Sequence, residues 1–71
     1  MAKHLQRELD KIKKMILSLG ALVEERVRMA VDAIEERDAD IAQKIIKADH
    51  EIDEMEVEIE EECLKISALH Q

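Results

Sequence analysis

Apolar residues recur along this chain at helical intervals almost from end to end. Leu5, Leu9, Ile12, Ile16, Leu19 and Val23 are spaced 4, 3, 4, 3, 4, the rhythm of a heptad seam. An extra step of four leads to Val27, and the stripe continues through Ala30 to Ile34. Such an insertion behaves as a stutter that relaxes left-handed supercoiling. Met15, Leu22 and Met29 form a second stripe on one side, and Leu17, Ala21 and Val31 lie on the other. This arc is wider than one partner helix covers, so the first helix expects at least two neighbours. Gly20 lies inside the helix, where glycine costs up to about 1 kcal/mol relative to alanine. A close crossing of another helix, rather than a hinge, is the reading adopted for it.

Glu36-Arg37-Asp38-Ala39-Asp40 interrupts the apolar pattern. Aspartate is poor inside helices and good at their starts, so a tight turn falls here. Asp40 with Gln43 fits a capping box, and Asp38 is an equal candidate for the cap. The rhythm then resumes through Ile41, Ile45, Ala48, Ile52, Met55 and Ile59, with a second stutter to Cys63, Ile66 and His70. The expected fold is all-α, an antiparallel hairpin with helix 1 over about 2–36, a turn over 37–40 and helix 2 over 41–70. The alternative is one continuous helix in a coiled coil, because Ile34 and Ile41 are also seven residues apart. A lone hairpin leaves part of helix 1's arc uncovered, so self-association is expected, most simply as two hairpins in a four-helix bundle.

Composition agrees with long helices: the 71 residues include no aromatics, no proline and one glycine, and 46% are hydrophobic. The net charge of −7 sits in the second half, because residues 1–36 carry seven basic and seven acidic side chains. Binding nucleic acid needs a positive, aromatic-bearing surface, which is missing. No apolar run has the length of a membrane span, so direct insertion is not expected. A lone Cys63 makes no internal disulfide and suits a reducing, cytoplasmic setting; its place on the stripe suggests a buried thiol. No nucleophile–base pair or phosphate-cradling loop is present, so an enzyme is not expected.

The candidate chemistry lies in Asp49–Glu62, where nine of fourteen residues are carboxylates and none is Lys or Arg. Glu51, Glu54, Glu58, Glu61 and Glu62 fall on the outer side of a helical wheel with Lys44, Lys47 and Lys65. Asp49, Asp53, Glu56 and Glu60 instead form a ribbon along one edge of the apolar stripe, with Ile46, Val57 and Leu64 beyond. Carboxylates between apolar rows are costly unless something pairs with them. Oxygen-rich sites of this kind suit hard cations in helical bundles. The Glu-x-x-His pattern of di-iron bundles is absent: Lys47 and Ser67 precede His50 and His70 by three residues. A polar stripe facing solvent or partner helices is the plain alternative.

Ala48-Asp49-His50-Glu51-Ile52-Asp53-Glu54-Met55 resembles the PhoU family, accessory regulators of bacterial phosphate uptake. The likeness runs along the whole chain. His4 to Ile12 is similar to the family's opening helix, Val23 to Val27 to its middle, and Arg37 to Ala42 to its turn. Cys63 to Ile66 and Leu69 to Gln71 resemble the end of its second helix. The resemblance implies tandem three-helix repeats and metal clusters, of Fe, Zn, Mn or Mg, held by (Glu/Asp)-x-x-x-Asp motifs. Asp49-x-x-x-Asp53 matches that motif, so these two residues are the candidate metal ligands. It also implies a cytoplasmic repressor, peripheral to the inner membrane through its partners, a phosphate ABC transporter and a sensor histidine kinase. Family members continue beyond the position of Gln71 into a proline and a third helix with a companion motif. The chain is therefore expected to correspond to the first two helices of such a protein, a fragment or shortened relative with half of the metal ligands. The competing expectation is a structural oligomerisation element, or a fragment without function of its own.

Overall fold

Two helices, α1 (Ala2–Glu36) and α2 (Ala39–Leu69), make up a computed structural model of the chain that describes residues 2–70. They pack side by side as a hairpin 53 Å long and 15 × 12 Å across. At 1.5 Å per residue, a helix the length of α1 accounts for that long axis.

The chain reverses over two residues, not four. Arg37 adopts a left-handed conformation (φ 53°), and its N–H bonds to the Ala33 carbonyl at 2.9 Å, which closes the last turn of α1. Left-handed backbone at this position is the common way to end a helix, although glycine is its usual occupant. Asp38 follows in an extended conformation, and its carboxylate accepts the Asp40 N–H at 2.9 Å. Asp38, not Asp40, is therefore the cap of α2, and Asp40 lies in its first turn beside the positive end of the helix dipole. The continuous-helix alternative ends at Arg37.

The seam between the helices is rotated from the stripe that apolar counting selects. Val23, Ala30 and Asp32 are partly covered at its margin, but the row of α1 that faces α2 is Leu5, Glu8, Ile12, Met15, Leu19, Leu22, Arg26, Met29 and Ala33. Their spacing alternates 3 and 4 without a stutter. Leu9, Ile16, Val27 and Ile34, all members of the expected seam, are exposed, Ile34 by 79%. On α2 the seam is Ile41, Ile45, Ala48, Ile52, Met55, Ile59, Glu62 and Ile66. The stutter expected at Cys63 does not occur. Glu62 takes the seam position, and the Cys63 thiol, expected in the core, is exposed. His70, also expected on the stripe, pairs its Nε2 with Glu8 Oε2 at 3.0 Å.

A regular 3–4 alternation keeps the two helices in contact along their full length, whereas two stutters would have turned their faces apart. Long charged side chains make this affordable, because their stems cover the seam and their heads reach water. The fully packed centre is small: Ile12, Ala48, Ile52 and Ile66 are buried, and Ile52 is the deepest at 2% exposed.

Candidate functional site

Each helix presents a second face about 90° round from the seam. On α1 that face carries Leu9, Ile16, Gly20, Val23, Val27 and Ile34, within an arc of about 60° at 100° per residue. On α2 it carries Asp49, Asp53, Glu56 and Glu60. In an antiparallel pair these two rows fall on the same broad side of the hairpin. An apolar stripe therefore runs alongside the carboxylate ribbon. The opposite side is polar, with an open groove lined by Arg7, Lys11, Lys14, Met15, Met55 and Glu58 among others.

Asp49 and Asp53 are one turn apart on α2, but their surroundings differ. The Arg26 guanidinium reaches across from α1 and donates a 2.6 Å hydrogen bond from one NH group to Asp49 Oδ1. No cation within helix 2 lies on the ribbon's side, so the partner that apolar patterning leaves open for Asp49 comes from α1. Arg26 occupies a seam position where an apolar residue would be expected, and that misfit was the available signal. Both side chains remain partly in water, so the pair contributes less than about 1 kcal/mol. Asp53, Glu56 and Glu60 are exposed. Among the described residues, no three His, Cys, Asp or Glu side chains converge closely enough to hold a metal ion. The two aspartates offer hard oxygen donors suited to a hard cation, but they supply only part of a coordination shell.

Glu62, expected on the solvated outer side, is drawn into the seam by Lys11. The Lys11 ammonium lies 3.3 Å from Glu62 Oε1, and Lys65 approaches the same oxygen at 3.6 Å. The hydrogen bond from Lys11, helped by the charges of Lys11 and Lys65, holds the Glu62 carboxyl below its ordinary value of 4.5. A lowered carboxyl pKa stabilises the fold above the unfolded value, and the contribution is lost as pH falls through the folded value. Lys11→Met should therefore flatten the fall in thermal stability below pH 4.5, as followed by circular dichroism. An unchanged acid limb would show that this contact carries no linkage.

Residues 16–71 match the PhoU domain. The chain belongs to the PhoU family. It is 38% identical over 64 residues, 90% of its length, to the phosphate-specific transport system accessory protein PhoU of Edwardsiella tarda. It is 37% identical over its full length to the PhoU homolog of Pseudomonas putida, and 34% identical over 64 residues to PhoU of Escherichia coli K12. The chain spans only 26–28% of the length of these relatives. No solved structure matches it. The family expected from the Asp49–Met55 stretch is thus the one found. Nothing in the match bears on the metal expected at Asp49 and Asp53, or on the oligomeric state. Among the described residues, no helix is long and apolar enough to cross a membrane.

Proposed function

We propose that this chain is a PhoU-type accessory module of a phosphate-specific transport system, acting by protein contact and not by catalysis. Its membership of the PhoU family carries the reading: the matched relatives are accessory proteins of that system, over 90–100% of this chain. The partners proposed are a phosphate ABC transporter and a sensor histidine kinase, reached from the cytoplasm at the membrane surface. A long hairpin with one apolar stripe and one acidic ribbon on the same side has the surface for such contacts. Retention of the purified chain on an immobilised phosphate ABC transporter at micromolar concentration tests this. Absence of retention would overturn it.

Metal binding is the finer part of the proposal. Asp49 and Asp53 would hold the protein's share of an Fe, Zn, Mn or Mg site, with the metal organising acidic helices that otherwise repel. Binding only the folded chain, the metal should raise the melting temperature, and Asp53→Asn should abolish the rise. A melting temperature indifferent to all four metals would favour a second reading, a structural element whose acidic helix is simply solvated. The Arg26–Asp49 pair supports that second reading, because it gives Asp49 a counter-ion without metal. Under it, added salt should stabilise the fold by screening the remaining carboxylates.

A further inference from the structure

The end of the hairpin away from the turn brings together side chains 62 residues apart in sequence: His70, just beyond α2, sets its Nε2 3.0 Å from Glu8 Oε2 on α1. His4, one turn before Glu8, lines the same cavity of about 340 Å³, together with Leu69. None of them belongs to the carboxylate ribbon. We propose that His4, Glu8 and His70 bind one divalent transition-metal ion of the zinc class, which fastens the start of α1 to the end of α2.

Ligand spacing supports the site. Zinc holds nitrogen and carboxylate oxygen at about 2.0–2.2 Å, so two of its ligand atoms lie roughly 2.9–3.4 Å apart. The Glu8–His70 pair has that separation already. An ion between them replaces the bridging proton, and the neutral imidazole keeps its proton on Nδ1. His4 and Glu8 are four residues apart, the interval at which a helix presents two ligands to one zinc ion. At rest the three groups do not converge on one point. His4 is exposed, however, and turning its side chain toward Glu8 displaces nothing packed in the seam. Water fills the remaining positions, as it does at three-ligand zinc sites. A plain cross-helix hydrogen bond accounts for Glu8 and His70 but leaves His4, in the same cavity, without a role.

Two imidazoles and a carboxylate suit zinc, nickel and cobalt, whereas magnesium and calcium prefer oxygen alone. The ribbon, all carboxylate, suits harder ions. Helix ends are the first parts of a fold to open. Here α2 closes with one cap bond, from His70 N–H to the Ile66 carbonyl at 3.0 Å. An ion held by both helices binds only while this end is closed, so it stabilises the closed hairpin.

Calorimetric titration of a Cys63→Ser, Asp53→Asn chain with Zn²⁺, and separately with Mg²⁺, tests the proposal. That background removes the exposed thiol and the ribbon's unpaired aspartate as competing ligands. One zinc ion per chain is expected, with a matching rise in melting temperature and no response to magnesium. His4→Gln and His70→Gln should each weaken zinc binding roughly ten-fold or more, because losing only the partner of a metal ligand already costs that much. Glutamine keeps an N–H for Glu8, so the metal-free hairpin should melt as the background does. His50 is the control: it is exposed on α2 with Glu54 one turn on, but His50→Gln should leave binding within about two-fold. Zinc held no more tightly than magnesium overturns the proposal, as does binding that survives either His4→Gln or His70→Gln or is lost with His50→Gln. Asp53 is replaced throughout, so failure here leaves the ribbon untouched, and the ribbon's own response to zinc is read in a His70→Gln chain.

Discussion

Ile52→Ala is expected to remove most of the hairpin's stability. Ile52 is the most deeply buried side chain, at 2% exposure, and it sits midway along α2. Shortening a buried isoleucine to alanine costs about 2–5 kcal/mol, part from lost transfer energy and part from the cavity left behind. At roughly 0.05–0.15 kcal/mol per residue, a chain of this length holds only some 4–10 kcal/mol in total. Among the described residues only Ile12, Ala48 and Ile66 are buried with it, each 8% exposed, so there is little surrounding core to collapse into the gap. Thermal unfolding followed at 222 nm should show a large drop in melting temperature or no cooperative transition. Ile46→Ala, chemically the same change on a half-exposed side chain, is the control and should stay within about 1 kcal/mol of the parent. If the two variants melt alike, Ile52 is not at the centre of an α1–α2 seam, and the hairpin itself is wrong.

The contrast between Ile52 and Ile46 shows how far the sequence could be read. On α2 one apolar row is continuous from Ile41 to Ile59, and the structure turns that row to the seam, burying Ala48 and Ile52 and half-burying the rest. On α1 there are two rows, and counting apolar residues favours the one containing Leu9, Ile16, Val27 and Ile34. The structure seats the other against α2, because Met15, Leu22 and Met29 join Leu5, Ile12 and Leu19 in an unbroken alternation. Glu8 and Arg26 hid that row, since charged residues at seam positions look like interruptions. They are instead cross-helix contacts: Glu8 meets His70, and Arg26 meets Asp49. Glu62 hides the end of the α2 seam in the same way, because the apolar count passes over it to Cys63. The choice between Asp38 and Asp40 as cap depends on one left-handed residue, Arg37, for which side-chain chemistry gives no sign.

The acidic ribbon was legible as a separate face, and the structure changes the question it poses. Asp49 has a counter-ion within the hairpin, so the ribbon carboxylates without one among the described residues are Asp53, Glu56 and Glu60. Any ligand drawing on Asp49 would compete with a guanidinium already in place. Asp53 has no such competitor among the described residues' ion pairs, which makes it the sharper probe of metal binding.

Gly20→Ala is expected to raise the stability of the hairpin. Within the hairpin, Gly20 is an exposed helical residue, and a Cβ built on it meets no atom within 4 Å. The close crossing expected there is therefore not made by α2. Its backbone is ordinary helix, without a positive φ that would favour glycine. Alanine should then stabilise the hairpin by about 1 kcal/mol, the usual difference in helix propensity. The effect is read as a higher melting temperature by circular dichroism. An alanine variant that melts at or below the parent would mean that another helix packs closely over Gly20.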